Sequence, residues 1–251
     1  MNPEIRATTS TTRSNRSSPL GSLVVPESSW QALERELEEV LARAFPEMSD
    51  ASSEIHAADL RTGKRAFKGI PIDRRITLRD DWLLIAKKHQ LKLIYRSIEK
   101  KRYQKAIKSL FGPGIALNPH VAAFALVAIV VDEYLAGQGA LGMFISDENK
   151  EIVRDVEKSI RSLRLSSGPL RLSQIVEKGF FIDSSKSRVL QLCDLCIYQL
   201  RKHEERLLGL PPKGIDDEGV LLAHKLVHRG NQRFNDVLEW LKAEQKSNST
   251  G

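Results

Sequence analysis

The period of the apolar residues changes repeatedly along the chain, and each change marks an element. Residues 20–25 form a short apolar run suited to a strand. Pro26-Glu27-Ser28-Ser29 then opens a helix. In it Trp30, Leu33, Leu37, Val40 and Leu41 recur on one stripe, and Glu34, Glu36, Glu38 and Glu39 fall largely outside it. The spacing predicts a helix over 76–88, a strand over 91–98 and a helix over 103–110. Residues 119–135 are apolar on nearly every side and predict a buried helix, ended by Gly137-Gln138-Gly139. A strand follows over 140–146, bounded by Asp147-Glu148-Asn149, then a helix over 150–163 and a short strand over 172–176. Phe180-Phe181-Ile182 suits a buried strand end. Asp183-Ser184-Ser185 reads as the start of a helix carrying Val189, Leu192, Leu195, Cys196 and Leu200 at helical spacing. A Pro/Gly/Asp loop over 209–219 leads to two further helices, 220–229 and 231–243. Strands alternating with helices predict an α/β fold, a mixed sheet covered by helices.

Residues 1–19 are rich in Ser, Thr and Arg, with Glu4 as their one acid, and predict a disordered tail. The main domain is expected over 20–206, a helical appendage over 207–243 and a polar tail over 244–251. The hydrophobic share of 41% is enough for an ordinary core, and the net charge of +7 favours an anionic partner, nucleic acid first. Cys193 and Cys196 lie in one predicted helix, so no disulfide framework is expected and a reducing, cytoplasmic setting is. The longest apolar run, residues 121–131, is about half the ~20 residues needed to span a bilayer. It reads as a buried helix, with no membrane partner.

The candidate chemistry is acidic. Glu54 and His56 are two apart, which puts them on one side of an extended segment. Asp147 and Glu148 end a strand, at the edge where α/β folds bind ligands; Asp147 capping the next helix is the plainer alternative. Gln191 and Asp194 are three apart on one face of the central helix. An acid among Leu190, Leu192, Cys193 and Leu195 is costly to bury unless a cation meets it; solvation at the helix edge is the plainer alternative. Carboxylates that converge from distant elements are stable with divalent ions among them, and hard oxygen ligands select Mg²⁺ or Mn²⁺. Glu54, Asp147, Glu148, Asp183 and Asp194 are the candidate ligands, with Gln191 placed to orient a carboxylate or a water. Two such ions ~4 Å apart activate water in phosphodiester cleavage.

Between Lys87 and Lys108 stand nine Lys/Arg and one acid, Glu99, with Tyr95 and Tyr103 among them. Cations for phosphates and rings for bases point to nucleic acid, at Lys100, Lys101, Arg102 and Tyr103. A solvated basic face on elements that pack by their apolar side is the plainer alternative. The Cys193-x-x-Cys196 pair has no second pair and reads as core filling. His224 and His228 lack the intervening Glu of a zinc-protease helix.

The segments SSEIHAADL, RSIEKKRY, MFISDEN and FFIDSSKSRVLQLCDLC, in that order, resemble the motifs of the domain-of-unknown-function family numbered 3800, placed among ribonuclease H-like folds. The most specific part is Asp183, Ser184, Ser187, Leu190, Gln191, Leu192, Asp194 and Leu195. The Glu-x-His piece matches Glu54 and His56, the Asp-Glu piece Asp147 and Glu148, and the basic-aromatic piece Lys100 and Tyr103. The resemblance covers residues 20–206 and implies a ribonuclease H-like mixed sheet flanked by helices, with two-metal nuclease chemistry. The family's opening strand, ending in Asp-Glu-Ser-Gly, has no match: TTSTTRSNRSS precedes Leu20 and carries no acid. The first strand and its leading carboxylate are therefore expected to be missing. A start lying upstream, a degenerate copy, or a partner chain supplying the strand would each account for that. The expectation is a nuclease-like protein hydrolysing nucleic-acid phosphodiesters at an incomplete site. The alternative is a non-catalytic nucleic-acid-binding or regulatory protein.

Overall fold

The computed structural model describes residues 4–11, 17–48, 54–114, 118–148, 153–165, 167, 171–177, 179–211 and 214–229. Strands β1 (Glu4–Thr11), β2 (Ser17–Pro26), β3 (Lys92–Glu99), β4 (Leu141–Asp147), β5 (Phe180–Ile182) and β6 (Val227–Arg229) form one mixed sheet in the order β5-β4-β1-β2-β3-β6. β2 pairs antiparallel with both β1 and β3, whereas β1–β4, β4–β5 and β3–β6 are parallel. Among the described strands, β2 alone therefore runs against the rest.

β1 overturns the expectation of a tail over 1–19 and of a missing first strand. It lies in the interior of the sheet, with Thr9 paired to Ser22 of β2 and to Ser146 of β4. Threonine suits a pleated strand, and neighbours on both sides take up the backbone hydrogen bonds. This chain fills the position itself, so no partner strand is needed there. What β1 lacks is a carboxylate near its end. Its second half is Thr8-Thr9-Ser10-Thr11, and Glu4 stands at the opposite end.

Helices cover both faces. On one lie α1 (Glu27–Ala44), α2 (Ala57–Thr62) and α3 (Ile72–Lys88). On the other lie α4 (Lys100–Phe111), α5 (Pro119–Gln138) and α6 (Val153–Leu165). The last two, α7 (Arg188–Leu207) and α8 (Asp217–Leu226), return to the first face. The strand alternation splits the core accordingly. Leu23, Val25, Leu93 and Tyr95 face the first layer, and Leu20, Val24, Ile94, Ile98 and Phe144 the second. α5 starts with Pro119 at its first turn, with the Asn118 side chain accepting from the His120 N–H, and ends at Gly139, whose φ of 60° is left-handed. By length and composition α5 would suffice to cross a membrane; in the fold it lies on the sheet with Ala123, Phe124, Val127 and Val131 buried.

α7 is the central helix and lies across β1 and β2. Its start differs from expectation. Asp183 caps a 3-10 turn over Ser184–Lys186, and Ser187 caps α7 itself, accepting from Leu190 N–H at 3.3 Å. The segment over 172–176 is no strand; a single bridge joins Ile175 to Gly142. The region after residue 206 is not an appendage either. Leu222, Ala223 and Leu226 of α8 share the core of α7, and the helix expected over 220–229 ends at Leu226, where β6 begins. The helix expected over 231–243 and the tail over 244–251 lie outside the described residues.

Candidate functional site at the carboxyl edge of the sheet

Because β1, β3, β4 and β5 run the same way, their carboxyl ends meet at one edge of the sheet. The residues that follow those ends are the chemistry-bearing ones. Lys100-Lys101-Arg102 follow β3, Glu148 follows Asp147 at the end of β4, and Asp183-Ser184 follow β5. With strands ~4.8 Å apart, β3 and β4 lie about 14 Å apart across the sheet, three spacings, and the register carries the end of β3 four residues, about 13 Å, beyond the level of Asp147. Segments far apart in the chain are thus gathered by topology, with cations on one flank and carboxylates on the other.

The acidic flank is knit by hydrogen bonds. Ser184 Oγ donates to Glu54 Oε1 at 2.6 Å, and His56 Nε2 lies 2.9 Å from Glu54 Oε2. The side shared by Glu54 and His56, read from their spacing, is real contact. Asp194 Oδ2 accepts from the Ala57 N–H at 3.0 Å. Ala57 is the first residue of α2, and the N-cap His56 makes no side-chain cap, so an acid from α7 does the capping and faces the positive end of the helix.

Gln191 is buried, and its amide is fully engaged. Oε1 accepts from Ile55 N–H at 3.2 Å and from Arg188 Nη1 at 2.9 Å, while Nε2 donates to the Ser184 carbonyl at 2.8 Å. It staples the 54–57 segment to the turn before α7 rather than orienting a carboxylate or water. Arg188, also buried, donates through Nε to Glu38 at 2.8 Å. Replacing Gln191 with Ala strands the Ile55 amide and is expected to cost about 1–3 kcal/mol. Denaturant unfolding and faster amide exchange over 54–62 would register it.

Asp183 is exposed. The Ser185 hydroxyl at 2.6 Å, then the Ser185 N–H and Lys186, hold its carboxyl below the usual range. Asp147 and Glu148 are exposed as well, and the Glu148 N–H donates to the Ile182 carbonyl at 3.1 Å. Asp147 ends β4 and the next residue, Glu148, is not helical, so Asp147 is not the cap of α6. Among the described residues, no three His, Cys, Asp or Glu side chains gather into a group able to hold a metal. Both Glu54 oxygens have partners, Asp194 caps α2 and β1 brings no acid to this edge. As built, this set does not fit a two-ion centre.

The cationic flank also departs from expectation. Lys101 and Arg102 are exposed, Arg102 Nε lying 3.2 Å from Glu99, and Lys100 is half-buried. Tyr103 is buried in the second core, and burial pushes its hydroxyl up to about 12, so its ring is not available to stack on a base. Tyr95 is buried too and donates to Glu204 at 3.1 Å. Lys88 pairs with Glu36 at 2.9 Å, and Arg96 is buried against the Tyr95 carbonyl. The basic stretch is therefore partly structural, and α4 carries its open part. His224 and His228 do not share a helix. His224 stacks edge-on to His203 at 4.3 Å, and His228 of β6 meets Tyr134 at 4.7 Å. Cys193 and Cys196 are free and buried.

Ser184 and Arg188 carry roles that spacing alone does not assign, although both stand in the segment that resembles the family's last motif. Comparison with family models, with curated proteins and with solved structures gives no match.

Proposed function

We propose that this chain is a ribonuclease H-like protein of the domain-of-unknown-function 3800 kind that binds nucleic acid at the carboxyl edge of its sheet without cleaving it. One observation carries the reading. The meander β1-β2-β3, with β4 and β5 added in parallel beside β1, sends Lys100, Lys101 and Arg102 to the same edge as Asp147, Asp183 and the Glu54–Asp194 group. The net charge of +7 supports a polyanionic partner. The free, buried thiols suit a reducing cytoplasm. The acidic group is read as the remnant of a catalytic centre that has lost the carboxylate of its central strand.

A second reading, Mg²⁺- or Mn²⁺-dependent phosphodiester hydrolysis, is favoured by Asp147 and Asp183 sharing that edge with Glu54 and Asp194. Labelled DNA and RNA oligonucleotides, single- and double-stranded, separate the two when binding is titrated against KCl and cleavage is followed on gels with each ion. Salt-sensitive binding with intact oligonucleotides is expected. Cleavage that Asp147→Asn or Asp194→Asn abolishes would establish the second reading, and absence of binding at low salt would sink both.

A further inference from the structure

We infer that the groove between α6 and residues 171–177 is a track for the nucleic-acid phosphate backbone, leading to the carboxyl edge of the sheet. The inference rests on the nucleic-acid reading above and adds a surface that reading does not use.

The groove encloses about 940 Å³ and is lined by five cations, Arg154, Lys158, Arg161, Arg164 and Arg171, against two carboxylates, Glu157 and Glu177. Its floor is apolar, with Ile160, Leu172 and Ile175 buried. Helical spacing sets Arg154, Lys158 and Arg161 on one side of α6, away from Val156 and Ile160, which face the core. Arg164 is tied down, donating to the Val176 carbonyl at 2.8 Å with Glu177 at 3.9 Å. The other four cations are exposed and have no ion-pair partner among the described residues. Solvated cations facing one recess repel one another, and a polyanion relieves that repulsion.

Length and direction agree with a strand of phosphates. From Arg154 to Arg164 the helix rises about 15 Å. One strand of a duplex sets down a phosphate every ~3.4 Å of axis, so the groove matches about four. α6 follows β4, so Arg154 lies toward the edge bearing Asp147. Arg164 and Arg171 lie toward the other end, where Ile175 meets Gly142 at the start of β4. The far wall is fixed in advance. Asp132, buried in α5, accepts from the Ser173, Gln174 and Ile175 N–H groups at 3.0, 2.7 and 3.0 Å. A walled recess suits a linear polyanion better than a flat sheet of lipid headgroups.

The test uses the full chain and the variant Arg161→Gln/Arg171→Gln, both positions being exposed. Binding of labelled duplex and single-stranded oligonucleotides is followed by anisotropy at rising KCl, beside Lys101→Gln/Arg102→Gln and beside vesicles containing phosphatidylserine. The groove variant is expected to keep the wild-type unfolding midpoint. Its plot of log affinity against log salt should flatten by about 2, one unit for each phosphate no longer neutralised. Wild-type binding that this variant leaves unchanged overturns the groove track alone. Wild-type protein that binds no oligonucleotide overturns the nucleic-acid reading itself. Binding to anionic vesicles but not to oligonucleotides, abolished in the groove variant, would make the groove a membrane surface and overturn the track.

Discussion

Asp132→Ala is expected to destabilise the protein by about 3–5 kcal/mol, with residues 171–177 released first. Asp132 sits in the most apolar helix of the chain, yet it is buried with three backbone N–H donors and the Ser173 hydroxyl directed at it. Alanine removes the acceptor and leaves those amides on a segment joined to β4 by a single bridge. A stranded buried donor costs about 1–3 kcal/mol, and these three lie at differing depth. At about 2–4 °C per kcal/mol for a domain of this size, the unfolding midpoint should fall by roughly 6–20 °C. Asp132→Asn keeps one oxygen acceptor and should fall between the two. Amide exchange over 171–177 is the local readout. An unchanged midpoint in Asp132→Ala would show that the segment is held by something else.

Gly21→Ala is the second large effect. A Cβ at position 21 would stand 2.0 Å from Ile197 Cδ1, 3.0 Å from Tyr95 Cβ and 3.1 Å from the Ile94 carbonyl. Ile197 of α7 packs directly over Gly21 and is fully buried, so the added methyl crowds it from below. Overpacking of this kind costs about 1–3 kcal/mol. Ile197→Val removes the nearest clashing atom, so the double variant should recover part of the loss. Tyr95 and the Ile94 carbonyl leave the remainder. Denaturant unfolding of both single variants and the double one measures the coupling. Strictly additive losses would mean that α7 does not approach β2 at this residue.

The sequence reveals elements wherever an apolar period is long enough to read. The stripe from Leu33 to Leu41 and the helix carrying Val189 to Leu200 bury the residues their spacing marks, and the run that forms β4 buries Phe144 and Ile145 while Leu141 stays exposed. β1 escapes because Thr and Ser carry no apolar alternation, and what places the strand is pairing by backbone on both sides. Val227–Arg229 escapes because three residues at the end of a helical pattern do not declare a new period.

At the site, spacing within a segment is legible, as Glu54 and His56 show. Contact between segments is not. Besides Arg188, the partners of Gln191 are the backbone of Ile55 and of Ser184, which no residue type announces. Tyr103 looks like a stacking ring only because of its basic neighbours. Its spacing of four from Ile107, which shares its core, is the signal that points inward. The cations of α6 stay hidden in the sequence because Asp155 and Glu157 interrupt them, and only the helical turn sorts Arg154, Lys158 and Arg161 onto one side.

The gathering of acids and cations at one edge depends on β1 standing between β2 and β4. Hydrogen exchange read by mass spectrometry over residues 4–11 measures that placement directly. Those amides should exchange about as slowly as the amides of 141–147 beside them. Full exchange of 4–11 within seconds, with 141–147 still protected, would contradict it.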